Sequence, residues 1–78
     1  MPLPPLPEVP YTVIRVIWDE NKLDADHDNS QGDLLLFSYN TWYFVYGSQG
    51  IDSADLLRQI RSYRVVSKPL PQQDAVWA

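Results

Sequence analysis

Apolar residues in this chain come in short runs separated by polar or proline-rich stretches, and each run reads as one element. The first, Tyr11-Thr-Val-Ile-Arg-Val-Ile-Trp18, is β-branched and aromatic with only Arg15 interrupting it, so it predicts a strand. From Asp19 to Asp33 the chain holds six acids, one lysine, two asparagines and one glycine without helical period, which predicts a long exposed loop. Leu34 to Tyr39 and Trp42 to Tyr46 are two further apolar runs, joined by Asn40-Thr41 at the spacing of a hairpin. Gly47-Ser-Gln-Gly50 breaks the second run, and Asp52 or Ser53 can then cap a helix whose first turn carries Asp55.

Leu56, Leu57, Ile60 and Tyr63 make one apolar stripe at helical spacing, with Arg58 and Arg61 facing away from it. Arg64-Val-Val-Ser67 has the residues of a closing strand, and Pro69 and Pro71 stop it. The order β-β-β-α-β predicts an α+β fold, a small antiparallel sheet of three to four strands with one helix packed on one face; the alternative is a small SH3-like β-barrel. Ile14, Val16, Leu36, Phe44, Leu57 and Ile60 are the expected core beneath the helix.

The first ten residues contain five of the seven prolines, so residues 1–10 should form an extended polyproline II arm outside the core, followed by a domain over 11–68 and a tail over 69–78. Pro4, Pro7 and Pro10 repeat at three, so they share a face of such an arm, without the basic residue that SH3 recognition normally adds.

Length and charge narrow the function classes. Seventy-eight residues make one domain, and without cysteine it has neither a disulfide framework nor a thiolate metal cage. A net charge of −4 argues against general affinity for phosphate backbones or anionic membranes. The charge is uneven: residues 1–52 carry −6 and residues 53–78 carry +2. Arg58, Arg61 and Arg64 make at most a small basic edge, a weak nucleic-acid footprint. No apolar run approaches the roughly 18 residues of a membrane span, and prolines stand where a signal peptide would have its basic start, so a cytoplasmic protein with no membrane partner is expected.

Candidate chemistry is sparse. Asp24-Ala-Asp26-His27-Asp28 alternates carboxylates as a calcium loop does, but counting from Asp24 the sixth position is Asn29 and the twelfth is Leu35, where glycine and a bidentate glutamate are needed. A solvated loop is the expectation, and His27, the only histidine, lacks partners for a zinc site. No nucleophile has a neighbouring base, and Gly32, Gly47 and Gly50 form neither phosphate-binding pattern, so no enzyme and no cofactor are expected.

Six of the ten aromatic residues lie between Phe37 and Tyr46, and alternation places them on both faces of the strand. One helix cannot cover both, so either the sheet curls into a barrel or one face is an interface. Tyr39, Trp42, Tyr43 and Tyr46 are the candidate partner-binding anchors, with Arg58, Arg61 and the tail's Trp77 beside them. From Ser53 to Leu70 the helix-then-strand order resembles, as topology, the closing part of the small phycobilisome linker modules, compact α+β wedges between larger subunits. Ser62-Tyr63 stand where those modules carry a glycine pair between helix and strand.

Two functions follow as expectations. The first is a non-catalytic interaction module acting as a small accessory subunit, linker or regulator of a larger protein or complex, with a homodimer as another way to cover the second aromatic face. The second is an acidic inhibitor whose Asp19, Glu20, Asp24, Asp26, Asp28 and Asp33 occupy a nucleic-acid-binding groove on a target.

Overall fold

The computed structural model describes residues 3–22 and 29–68. The first apolar run forms β1 (Val13–Trp18), and its burial alternates strictly: Ile14, Val16 and Trp18 are buried while Val13, Arg15 and Ile17 are half-buried. That period of two gives the sheet an inner and an outer face. A 3₁₀ turn at Glu20–Lys22 starts the acidic loop, and β2 (Asp33–Ser38) and β3 (Thr41–Phe44) form the expected hairpin. They are followed by β4 (Gly50–Ile51), the helix α1 (Ser53–Gln59) and β5 (Ile60–Ser67). All five strands pair antiparallel in the order β4-β3-β2-β1-β5.

The fold is therefore α+β, with five strands where three to four were expected. The two-residue β4 begins at Gly50, the last residue of the strand-breaking segment Gly47-Ser-Gln-Gly50. The order leaves β4 and β5 as the two edges of the sheet, so no described pairing closes the alternative, an SH3-like barrel. The hairpin turns at Tyr39-Asn40, one residue earlier than Asn40-Thr41. Both residues have positive φ, 51° and 62°, as a two-residue type I′ turn requires, and Ser38 pairs with Thr41 across it.

The helix is also shorter than its apolar stripe suggested. Asp52 caps it, its carboxylate accepting the Asp55 amide at 2.8 Å, but at Ile60 the backbone turns extended (φ −102°, ψ 151°) and passes directly into β5. Ser62 and Tyr63, expected between helix and strand, thus lie inside β5. The misleading spacing has a cause in the sheet. Trp18 pairs with Ile60 but Ile17 with Ser62, so Arg61 is an extra residue in a β-bulge. The bulge lets Ile60 and Tyr63 both face inward three residues apart, which imitates a helical period.

The core lies on the inner face. Ile14, Val16 and Trp18 of β1, Leu35 and Phe37 of β2, Trp42 of β3, Leu56 of α1, Ile60 and Leu6 form one buried cluster, with Phe44, Leu57 and Tyr63 packed against it. Ile14, Val16 and Ile60 are where the alternation placed them. Leu36 is not: Leu35 pairs with Ile14 and Phe44 on the inner face, so Leu36, paired with Val13 and Tyr43, turns outward. Leu56 takes the fully buried helix position in place of Leu57.

The N-terminal arm, expected outside the core, contributes to it. Leu6 is buried and the half-buried Leu3 packs against the same cluster, while Pro4 and Pro10 are exposed. The Tyr63 hydroxyl donates to the Pro5 carbonyl at 2.8 Å, which clamps the arm to β5.

Candidate functional site

Helix, arm and core all occupy the inner face, so among the described residues no element lies over the outer face of the sheet. The register builds it in rows. Val13, Leu36 and Tyr43 align across β1, β2 and β3, and Arg64, Arg15 and Leu34 align across β5, β1 and β2. The Val45 amide donates to the Leu34 carbonyl at 3.0 Å, which brings that residue to the end of the second row. Val13, Leu34 and Leu36 are half-buried by their neighbours, while Tyr43 and Val45 are 37% and 43% exposed. Singly exposed apolar residues are ordinary, but apolar side chains aligned across three strands with no layer of the described chain above them make a patch.

The expected anchors divide. Tyr39 at the hairpin tip and Tyr46 beyond the other end of β3 are almost fully exposed, but they flank the strand at opposite ends and do not form one patch. Tyr43 sits between them on the outer face. Trp42 is no surface anchor: it is fully buried, tilted against Phe37 with ring centroids 4.8 Å apart. Its indole N–H donates to Ser53 Oγ at 2.8 Å, and the Ser53 hydroxyl donates to Glu8 Oε2 at 2.9 Å. The alternation decides this, since Trp42 pairs with Phe37 on the inner face. The chain Trp42, Ser53, Glu8 joins hairpin, helix start and arm.

Arg58 pairs with Asp55 one turn back on the helix, and Arg61 pairs with Glu20 at 3.0 Å, so both cations are engaged within the molecule and stand apart from the apolar rows. Trp77 lies outside the described residues. What the sequence reading missed are Val13, Leu34 and Leu36. The run Leu34-Leu35-Leu36 was the available signal, because consecutive apolar residues in a strand supply both faces.

Of the acidic loop, Asp24, Asp26, His27 and Asp28 lie outside the described residues, so the calcium-loop comparison falls there. Its described acids are tied into the fold. Asp33 accepts the Trp18 indole N–H, Asp19 accepts the Asn21 amide at 3.0 Å, and Glu20 holds Arg61. Among the described residues no group of three or more histidine, cysteine, aspartate or glutamate side chains could hold a metal, and no helix is long and apolar enough to cross a membrane.

Comparison of the chain with protein-family models, curated proteins and solved structures returned no significant match. The functional reading therefore stands on the geometry of the outer face.

Proposed function

We propose that this chain is a non-catalytic protein-interaction module, an accessory subunit, linker or regulator that docks through the outer face of its sheet onto a larger protein in the cytoplasm. The observation that carries the reading is the aligned row Val13, Leu36, Tyr43, with Leu34 and Val45 beside it, on the face opposite the core. Tyrosine and aliphatic side chains in such an arrangement supply apolar area at small entropic cost and keep a hydroxyl for the rim.

The test compares wild type with Leu36→Asp and Tyr43→Ala for capture of partners from the native host and for self-association by sedimentation, with circular dichroism as the control on folding. Both positions face away from the core, so the variants should keep their fold and lose the retained partner. Capture or self-association unchanged in two folded variants would refute the reading. Binding that survives both but falls steeply with ionic strength would support the acidic-inhibitor reading instead.

A further inference from the structure

Beside the apolar row the outer face carries a pair of cations. Arg15 and Arg64 stand directly opposite each other on β1 and β5. Side chains so paired have Cβ atoms about 4.5–5.5 Å apart, and like charges there are destabilising. Arg58 and Arg61 each hold a carboxylate of this chain. Arg15 donates through one guanidinium nitrogen to the Gln31 carbonyl at 2.8 Å, and neither it nor Arg64 has a carboxylate partner among the described residues. The bond to Gln31 aims the Arg15 guanidinium and leaves its other donors available. The two arginines, with Ser62 and Ile17 between β1 and β5 and Ser30 from the loop, border an open cleft of about 470 Å³.

We propose that this cleft is a carboxylate-binding site that receives an acidic side chain of the docked partner, with an apolar neighbour of that side chain resting on Ile17 and Leu34. The proposal rests on the interaction-module reading and names the chemistry of the partner. Two guanidinium groups present parallel N–H pairs that match a planar carboxylate, and a bound anion removes the repulsion between them. A polyanion is disfavoured, since the chain carries −4 and its acidic loop ends at the cleft through Ser30 and Gln31. A second copy is disfavoured too, because a twofold contact centred on this row sets arginines against arginines.

The test titrates the folded chain with a blocked peptide alternating glutamate and leucine, its glutamine counterpart and inorganic phosphate, reading the arginine side-chain N–H signals by NMR. The glutamate peptide should move the Arg15 and Arg64 signals and leave those of Arg58 and Arg61. Its affinity should fall roughly tenfold or more in Arg64→Ala, and as much for the glutamine peptide, the loss expected for a charge-assisted hydrogen bond. Equal shifts at Arg58, or phosphate moving Arg15 and Arg64 as strongly as the peptide, would overturn the assignment. The two proposals can fail separately. Partner capture lost in Tyr43→Ala but kept in Arg64→Ala, without peptide shifts at the arginines, overturns the carboxylate site alone. Peptide shifts at the arginines with capture unchanged in Tyr43→Ala overturn the apolar docking face and leave the site.

Discussion

Replacing Trp42 by alanine should remove a large share of the stability, and the structure gives the size of the effect. The indole is fully buried, stacks at a tilt on Phe37 and donates to Ser53 Oγ. Core tryptophan or phenylalanine to alanine changes cost about 3–5 kcal/mol, from lost transfer energy and the cavity left behind. A chain of 78 residues has roughly 4–12 kcal/mol of stability in total, so the variant loses a quarter of it or more. On the scale of about 4–8 °C per kcal/mol for a domain of this size, Tm should drop by about 12 °C at least. Urea and thermal unfolding followed by far-ultraviolet circular dichroism measure both quantities. Trp42→Phe separates the contributions, since it keeps a ring against Phe37 and removes only the indole and its donation to Ser53; a cost of about 1–3 kcal/mol is expected. A Trp42→Ala variant within 1 kcal/mol of wild type would refute the buried placement and return Trp42 to the list of surface anchors.

Two further variants probe parts of the fold that composition alone would leave on the surface. Leu6→Ala should cost about 2–5 kcal/mol in urea unfolding because Leu6, at 7% exposure, is part of the core; an unchanged midpoint would detach the arm from it. Gly32→Ala should lower Tm sharply. Gly32 has φ +68°, which costs an L-residue roughly 1–2 kcal/mol, and an added Cβ would lie 2.0 Å from the Val16 carbonyl oxygen, so a wild-type Tm would contradict the loop's approach to β1.

Features set by neighbouring residues were legible in the sequence. The strand at Val13–Trp18 and its inner set Ile14 and Val16 follow from β-branched residues repeating at two, and the helix start follows from Asp52, whose carboxylate reaches an amide only three residues on. The hairpin was legible to within one residue, because type I′ geometry accepts Tyr39-Asn40 although it favours glycine. Tyr39, Tyr43 and Tyr46 are exposed and Trp42 is buried, a division that the density of aromatics between Phe37 and Tyr46 does not by itself reveal.

What only the tertiary structure decided depends on which residues face each other across strands distant in sequence. Leu34, Leu35 and Leu36 are locally equivalent, and it is pairing with β1 that turns Leu35 inward and the other two outward. The bulge at Arg61 exists only against β1, and without it the spacing of Ile60 and Tyr63 reads as helix. Leu6 is buried only because the folded sheet and helix offer it a core to join, so the proline content of the arm does not predict its place there. The opposition of Arg15 and Arg64, 49 residues apart in the chain, is likewise a product of register, since the backbone hydrogen bonds that align β1 with β5 carry no trace in either segment alone.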